Sequence, residues 1–461
     1  MTTSSLQLPH ALQARLQHQL GPAFESFALA MSLNPPVSIR LNPDKPTDTF
    51  HSAESIPWSS QGKYLDSRPR FTGDPLFHAG AYYVQEASSM FLEHVLRMAI
   101  DLNEDHRVLD LSAAPGGKST LLQSLLSRDS LLVANEVISS RNKVLKQNLT
   151  RWGGDNHMVT QSDPKYFNKL PGFFDLILVD APCSGEGLMR KEPSAMNEWS
   201  ENNVALCAGR QKRILADVIS ALANDGVLIY STCTFSTIEN EENMIWIQEE
   251  YDLEQIQIPI PESWGVVSGN AQQPGYRLYP HLLKGEGFYI AAFRKRQTDS
   301  FLQVKTKSKR SSLHDEANFN DDNQWLENSE RYIFITRDQH RIAIPKCLYE
   351  DYLSLNEALR ITSSGLYMGK VYHGQLKPSP ELALSQYVSR GQPRLNLSVE
   401  QALDYLSHID IGRDFNLVPG LYLVSHGGFG LGWMHVLVTG QIRNKYPAAW
   451  RIIHRNQRRP A

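Results

Sequence analysis

The chain has 461 residues, 41% of them hydrophobic and 21% charged, and its formal net charge at pH 7 is −3. This length suits two or three domains with sizeable cores. No apolar stretch approaches the roughly 20 residues that span a bilayer, and the polar N-terminus lacks the apolar core of a signal peptide. Four unclustered cysteines without Cys-x-x-Cys spacing do not make a disulfide scaffold or a zinc site of that kind. We therefore expect a cytoplasmic protein without a metal or a membrane span.

The charge distribution is more informative than the net charge. Asp414 is the last acidic residue, and the chain after it is basic, with Tyr446 and Trp450 interleaved. Basic residues with aromatic neighbours suit phosphate contact and base stacking, although a solvated face with a frayed tail fits the charge equally well. The C-terminal basic residues are Arg443, Lys445, Arg451, Arg455, Arg458 and Arg459, and a second cluster comprises 294–296, Lys305, Lys307, Lys309 and Arg310.

In chain order, the first elements predicted are amphipathic helices over 6–34 and a short strand over 37–42. Residues 45–75 are punctuated by proline and glycine, and a helix pattern begins near Val84. Strands and helices then alternate, which predicts an α/β protein with a Rossmann-like, doubly wound sheet. The predicted strands are 107–111, 131–135, 158–161, 174–179, 227–230 and 287–293, and the predicted helices are 118–127, 139–152, 201–223 and 237–250.

The last third of the chain predicts a polar linker and a small α+β region. Short strands are expected at 332–335 and 341–344, a helix at 399–407, and β-like segments at 416–440. This pattern divides the chain into five parts. They are an N-terminal extension (1–80), the α/β domain (81–297), a linker (298–328), an intermediate region (329–395) and a C-terminal module (396–461).

A loop of small residues follows the first strand of the α/β domain and leads into a helix, whose free N–H groups favour a ligand. Gly117, Lys118 and Ser119 resemble the end of a nucleotide-binding P-loop, but Ser112 stands where that motif needs glycine. The Gly-x-Gly-x-x-Gly pattern of dinucleotide sites is also absent. The loop comprises Ser112, Ala113, Ala114, Pro115, Gly116, Gly117 and Lys118.

Carboxylates follow the next strands of the predicted sheet, and they favour a cationic ligand. Glu136 could accept hydrogen bonds from a ribose diol, Asp163 from an adenine amine, and Asp180 lies where ammonium or sulfonium groups would be favoured. This set fits S-adenosylmethionine better than a triphosphate. Each acid taken singly also fits a helix N-cap, above all Asp163, which precedes Pro164.

Two cysteines follow apolar runs that read as neighbouring parallel strands. Cys183 lies in a turn with Ser184, and Cys233 lies between two threonines. Residues beyond the carboxyl ends of such strands line the ligand crevice. A thiolate that attacks carbon 6 of a pyrimidine makes carbon 5 nucleophilic, so two thiols here suggest covalent catalysis. The alternative is two inert buried cysteines, the role that we assign to Cys207 and Cys347.

Cys233 is the better candidate nucleophile on local grounds. Residues 236–239 fit a capping box that opens the next helix, which would place Cys233 before a positive helix end and lower its pKa. Cys183 has Glu186 close by in the sequence and would then act in product release.

These motifs together resemble those of the NOL1/NOP2/Sun RNA cytosine-5 methyltransferases. The resemblance covers nearly the whole chain, and the paired Pro-Cys and Thr-Cys motifs are its most specific part. The residues that carry it are 38–42, 83–90, 113–118, 180–185, 231–234, 279–281 and 287–288, and residues 430–433 and 442–447 resemble a PUA-like RNA-binding module.

The resemblance implies a class I methyltransferase domain between a small N-terminal α/β RNA-binding extension and a C-terminal α+β PUA-like module. It implies that S-adenosylmethionine contacts residues 112–118, Glu136, Asp163 and Asp180. Cys233 would be the nucleophile, Cys183 would assist release, and Asp180 is also a candidate to support N3 of cytosine. One departure is Ser112, where the family usually has cysteine; the contact there is mainly through the backbone.

The resemblance also implies the substrate, a cytosine of small-subunit (16S) ribosomal RNA near the decoding region, free or within the small subunit. We expect this base to flip out of its stack. Candidate RNA contacts are Arg40, Asn42, Lys191, Arg443 and Lys445; for the first three, an ordinary surface or turn role is an equal alternative.

Three rival functions remain open from the residues. A DNA cytosine-5 methyltransferase would use Cys183 as the nucleophile, a non-catalytic RNA-binding assembly factor would keep only the fold, and a P-loop enzyme would hydrolyse nucleotides. The Thr-Cys motif and the basic C-terminal module count against the first, and the thiol pair against the second. No segment reads as a dedicated interface between copies, so we expect a monomer.

Overall fold

The structure is a computed structural model that describes residues 8–270, 272–296, 324–411 and 415–453. Most of the predicted linker (298–328) therefore lies outside the described residues. So do the basic residues Lys305, Lys307, Lys309, Arg310, Arg455, Arg458 and Arg459. Within the described ranges, no helix combines the length and apolar character that a membrane span requires.

The N-terminal extension and the strand after it form three α-helices and a three-stranded antiparallel sheet with the strand order β2-β1-β3. Leu12, Leu16 and Phe27 form the apolar faces of the helices and are buried. The elements are α1 (His10–Leu20), α2 (Phe24–Ser32), β1 (Val37–Leu41), β2 (Gly62–Leu65), α3 (Pro75–Ala79) and β3 (Tyr82–Val84).

The α/β domain contains most of one ten-stranded sheet. Its first half comprises α4 (Leu92–Ala99), β4 (Arg107–Asp110), α5 (Gly117–Leu125), β5 (Leu131–Asn135), α6 (Ser139–Trp152), β6 (His157–Thr160) and β7 (Phe174–Asp180). Its second half comprises α7 (Ala195–Glu198), α8 (Glu201–Val218), β8 (Leu222–Thr232), α9 (Glu241–Tyr251), β9 (Leu253–Gln255), β10 (Val267–Ser268), β11 (Tyr276–Leu278) and β12 (Phe288–Lys295).

The strand order of this sheet confirms the Rossmann-like prediction. Strands β6, β5, β4, β7 and β8 are adjacent in that order and parallel, and β12 is antiparallel to β8. The chain moves outward from β4 through β5 to β6, then crosses back to β7 and continues in the opposite direction. The order therefore reverses between β4 and β7, which is where ligands bind in open α/β sheets.

The rest of the chain is packed onto this domain. Its elements are β13 (Tyr332–Arg337), β14 (His340–Pro345), α10 (Tyr349–Ala358), β15 (Ile361–Ser364), β16 (Leu366–Tyr372), β17 (Gln375–Pro378) and α11 (Pro380–Leu384). They are followed by β18 (Arg394–Asn396), α12 (Val399–Leu406), β19 (Gly420–His426), β20 (Phe429–Val436) and β21 (Ile442–Asn444). Strand β15 pairs with β6 and so extends the methyltransferase-like sheet. The intermediate region and the α/β domain consequently share one hydrophobic core.

Three predicted helices have different bounds in the structure. Val84 ends β3, and the α-helix begins only at Leu92, because the Glu86 carboxylate accepts the N–H groups of Ser88 and Ser89 and holds a turn there. Helix α8 ends at Val218, since β8 already begins at Leu222. Helix α9 begins at Glu241 rather than near residue 237.

Candidate active site

The small-residue loop links the end of β4 to the start of α5 at the switch point of the sheet. Gly116 has φ +113°, a backbone conformation that side-chain-bearing residues rarely adopt. The loop is held from outside, because the Asn148 amide donates to the Pro115 carbonyl (2.8 Å) and Arg141 donates to the Ala114 carbonyl (2.9 Å). The N–H groups at the start of α5 remain turned toward the carboxyl edge of the sheet.

The predicted carboxylates lie at this edge, but in different settings. Glu136, after β5, is buried and has Arg141 3.5 Å from its Oε2. Asp163, after β6, is exposed, and its Oδ1 accepts the Lys165 N–H (3.2 Å), so it caps the short 3₁₀ turn that follows. The position of Asp163 is compatible with an adenine contact. The hydrogen bond that its side chain makes to the Lys165 N–H is that of a helix cap.

Asp110 is a carboxyl that sequence reasoning missed. It ends β4, directly before the loop, and is fully buried. Its Oδ2 accepts the Ser119 hydroxyl (2.6 Å), whereas its Oδ1 has no hydrogen-bond partner among the described residues. Burial raises the pKa of Asp110 to about 7. A carboxylate at the last position of a buried strand before a small-residue loop was the available signal.

Lys118 does not turn toward the loop that contains it. Its Nζ lies 2.8 Å from Oδ2 of Asp180 and 5.1 Å from the centre of the Phe288 ring. Burial alone would lower the pKa of Lys118, but attraction and hydrogen bonding to Asp180 raise it above its usual value. Ser231 donates to the other oxygen of Asp180 (2.7 Å), so both carboxylate oxygens have partners.

The two cysteines lie side by side at the ends of β7 and β8. Their Sγ atoms are 3.1 Å apart, and both side chains are partly exposed. The hydrogen bond to Cys233, followed by burial, raises the pKa of Cys183 well above its usual value. The Cys183 thiol is therefore harder to deprotonate than an ordinary cysteine. Cys207 is buried in α8, as predicted, while Cys347 is exposed.

A single buried carboxylate, Glu239, joins the two cysteine loops. Its Oε1 accepts the Ser184 N–H (2.9 Å), and its Oε2 accepts the hydroxyls of Ser184 (2.6 Å) and Thr234 (3.1 Å). Gln211 of α8 donates to Oε1 (3.0 Å). The predicted capping box is therefore wrong, because Glu239 turns inward to the residues after each cysteine instead of capping α9.

Glu186 connects the same loops to the N-terminal extension. Its Oε1 accepts from Arg15 of α1 (2.5 Å) and from the Trp199 indole (2.9 Å), and its Oε2 accepts the Phe235 N–H (3.1 Å). Gln19, one turn further along α1, donates to the Phe235 carbonyl (3.1 Å). Helix α1 is thus fixed directly behind the two thiols.

The predicted RNA contacts separate into two groups. Arg40 and Asn42 are both 1% exposed, which is at odds with direct RNA contact. Arg40 donates to Gln85 and Thr120, and Asn42 donates to the carbonyls of Gly80 and Trp152, so they join the N-terminal extension to the α/β domain. In contrast, the side chains of Lys191, Arg443 and Lys445 are exposed.

No cluster of three or more His, Cys, Asp or Glu side chains in the described part of the chain is arranged to hold a metal ion. The polar groups that do converge are the thiols, the Asp180–Lys118 pair and the carboxyls at the strand ends. Such a site can perform nucleophilic and acid–base chemistry with its own side chains.

Three family models match the chain. Residues 97–294 match 16S rRNA methyltransferase RsmB/F, residues 8–87 match the N-terminal domain of 16S rRNA methyltransferase RsmF, and residues 392–452 match the methyltransferase RsmF PUA domain. The three matches follow one another along the chain in the order that the predicted architecture requires.

Curated relatives carry a matching name. A ribosomal RNA small subunit methyltransferase F of Pectobacterium atrosepticum is 36% identical over 248 residues, covering 52% of this chain and 51% of that protein. The chain thus spans about half the length of such relatives. A protein of the same name from Psychromonas ingrahamii is 29% identical over 416 residues, covering 85% of this chain and 84% of that protein.

Solved structures support the fold. A methyltransferase homologue from Pyrococcus horikoshii shares 28% identity with a TM-score of 0.54, covering 63% of this chain and 96% of the other. From the three successive domain matches and this likeness, the chain belongs to the RsmF-type methyltransferases of the RsmB/F family.

Proposed function

We propose that the protein transfers a methyl group from S-adenosylmethionine to carbon 5 of a cytosine in 16S ribosomal RNA, through a covalent bond between Cys233 and carbon 6. The observation that carries this proposal is the pair of thiols 3.1 Å apart, next to the Asp180–Lys118 pair at the sheet edge. A pure RNA-binding protein has no use for such a thiol pair.

The loop after β4 fits the cofactor. Gly116 has the positive φ that the turn into α5 requires, and Asp110, which directly precedes the loop, has an unpartnered Oδ1 that could accept a hydrogen bond. The residues that would hold S-adenosylmethionine are 112–118, Glu136, Asp163 and Asp180. When bound, this cofactor would supply an electrophilic methyl group.

The contact between the two thiols favours Cys233 as the nucleophile. Because its pKa is raised, Cys183 can donate a hydrogen bond to Sγ of Cys233, which lies 3.1 Å away. The Cys233 thiolate adds to carbon 6, and Asp180 together with the Lys118 ammonium paired to it supplies a proton to N3 of the ring as negative charge develops there. Carbon 5 is then nucleophilic and takes the methyl group.

Product release requires loss of the proton on carbon 5, and Cys183, 3.1 Å from Cys233, is close enough to assist it. Cys183 can then lose its own proton to water and accept the one from carbon 5, and the Cys233–carbon 6 bond breaks to return the thiolate.

The substrate assignment comes from the family and from the C-terminal PUA match. Lys191, Arg443 and Lys445 are exposed and basic, as phosphate contacts must be. We propose that they bind the RNA on either side of the flipped cytosine, within free 16S RNA or the small ribosomal subunit.

Covalent trapping tests this function. The wild type, Cys233→Ala and Cys183→Ala are incubated with 16S RNA that contains 5-azacytidine and with labelled S-adenosylmethionine, and protein–RNA adducts that survive denaturation are counted. We expect adducts with the wild type and Cys183→Ala and none with Cys233→Ala.

The other outcomes separate the rival functions. Loss of the adduct only in Cys183→Ala would move the nucleophile to the Pro-Cys motif, as in a DNA-type enzyme. The absence of adducts with every variant, on free RNA and on subunits, would favour a non-catalytic assembly factor.

A further inference from the structure

Glu286 is a buried carboxyl that the proposed reaction does not use. It is 3% exposed, and neither of its carboxyl oxygens has a hydrogen-bond partner among the described residues. Burial is the main cause that raises the pKa of Glu286 to about 7. Buried polar groups are nearly always partnered, so such an exception calls for an explanation.

Neighbouring polar groups are already committed elsewhere. The Glu86 carboxylate accepts N–H groups from Ser88, Ser89 and Glu286 itself. The Arg190 guanidinium donates to the carbonyls of Leu33, Asn34 and Gly285. Lys191, exposed, exerts only a longer-range attraction on Glu286. The site therefore surrounds Glu286 with polar atoms and leaves its carboxyl unsatisfied.

Glu286 lies at the same sheet edge as the thiols. It precedes the start of β12, which is antiparallel to β8 with Tyr289 opposite Thr232, so the start of β12 lies beside Cys233. A Cβ placed on Gly187 would meet both the Gly287 carbonyl (2.7 Å) and the Cys233 carbonyl (2.9 Å), which shows how close these segments are.

Glu286 and Gly287 directly precede Phe288, the first residue of β12. The Phe288 ring lies 5.1 Å from Nζ of Lys118, which in turn binds Asp180. Glu286 therefore lies two residues along the chain from a ring that packs against Lys118 of the Asp180–Lys118 pair.

We propose that Glu286 is a specificity-determining residue that accepts a hydrogen bond from the exocyclic amine on carbon 4 of the target cytosine; this rests on the function proposed above. Both oxygens of Asp180 already have partners, Lys118 and Ser231, whereas neither oxygen of Glu286 has one among the described residues. Uracil has a carbonyl oxygen in place of the amine, and two acceptors repel each other.

The consequence is discrimination between cytosine and uracil at the target position. A site built to bind a donor group rejects an analogue without it strongly, because the buried acceptor is then left unpaired. In Glu286→Gln, the amide can turn its NH₂ group toward the carbonyl of uracil, so the preference for cytosine should shrink.

The experiment first maps the cytosine that the wild type methylates in transcribed 16S RNA, then uses that RNA with either cytidine or uridine at this position. Methyl incorporation from labelled S-adenosylmethionine gives kcat/KM for the wild type, Glu286→Gln and the control Glu192→Gln, whose side chain is exposed. We expect Glu286→Gln to lose at least about 30-fold on the cytidine RNA and to narrow the cytidine-to-uridine ratio by at least about tenfold. The control should match the wild type on both RNAs.

Thermal unfolding of the same proteins guards against a folding defect. Removing a buried unpartnered carboxyl should leave the melting temperature of Glu286→Gln unchanged or higher. An unchanged rate, or equal losses on both RNAs with the ratio preserved, would overturn the role of Glu286 while leaving the methyltransferase function intact. Failure of the wild type to methylate any cytosine would instead defeat the proposed function, and this inference with it.

Discussion

Asp110 is a residue of the candidate site whose burial lowers the stability of the folded protein. Its carboxyl is fully buried with one oxygen unpartnered, and burial raises its pKa to about 7. In the unfolded chain the same group titrates near pH 4. Between about pH 4 and pH 7 the folded protein therefore holds a proton that the unfolded chain releases, so rising pH lowers the free energy of unfolding across this window.

Asp110→Asn should remove this pH dependence. The amide oxygen can still accept the Ser119 hydroxyl, and the variant has no charge to bury. We expect similar stabilities near pH 4 and a growing advantage for the variant up to pH 7, with a ceiling of about 4 kcal/mol. Denaturant unfolding at a series of pH values measures this. Asp48→Asn, at an exposed aspartate, is the control, and parallel pH curves for the wild type and Asp110→Asn would contradict the argument.

At the scale of elements, the geometry of the two thiols depends on loops rather than on strands. Ser184 and Thr234 directly follow the cysteines, and both donate to Glu239. Burial raises the pKa of Glu239, although its hydrogen bonds oppose that shift. We therefore regard Glu239 as a positioning residue that sets the separation of Cys183 and Cys233.

Glu239→Gln should disturb the chemistry more than RNA binding. The amide NH₂ would face the Ser184 and Thr234 hydroxyls, which must then accept instead of donate, so the charge-assisted hydrogen bonds that join the two loops are lost. We expect kcat to fall at least about tenfold with a nearly unchanged KM, and adducts with ordinary cytosine RNA to accumulate, as expected when Cys183 cannot assist release. Glu242→Gln, at the exposed start of α9, is the matched control. Loss of kcat without adduct accumulation would mean that Glu239 does not act through Cys183.

Some elements were predictable because their signals are local, and others depend on distant contacts. The apolar runs that form β5 and β7 and the small-residue loop before α5 can be recognised from their own residues. The position of the sheet edge and of its two thiols could therefore be predicted. The pattern at 236–239 fits a helix cap equally well, and only the presence of Ser184, brought across the crevice, turns Glu239 inward. Burial of Arg40 likewise depends on Thr120, eighty positions away.

At the scale of the whole molecule, the described parts of the chain pack against one another. Strand β15 extends the main sheet, and Leu382 and Ala383 of α11 pack with Leu423 and Trp433 of the C-terminal module. The C-terminal module also contacts α3, since Ala79 belongs to its hydrophobic cluster. An RNA-binding module held this firmly can set the orientation of the RNA at the thiols.

Lys45 joins three of these parts at one point. Its ammonium is buried and donates to the carbonyls of Ala79 (2.8 Å), Arg151 (2.7 Å) and Leu384 (2.9 Å), at the ends of α3, α6 and α11. The carboxyl ends of helices carry partial negative charge, which favours a cation there. One side chain therefore links the N-terminal extension, the α/β domain and the intermediate region through three helix-end carbonyls.

Lys45→Met should consequently loosen the whole assembly. Methionine replaces the aliphatic stem but leaves the three carbonyls buried without a donor, and we expect a loss of about 3 kcal/mol in the free energy of unfolding. Because the lost bonds join separate parts, the transition should also broaden or split in two. The matched control is Lys146→Met, which breaks a partly exposed 3.9 Å pair with Glu381 between α6 and α11 and should cost less than about 1 kcal/mol. Calorimetry of the full chain compares the two variants. Equally small losses in the free energy of unfolding for Lys45→Met and Lys146→Met would mean that apolar packing alone holds the parts together.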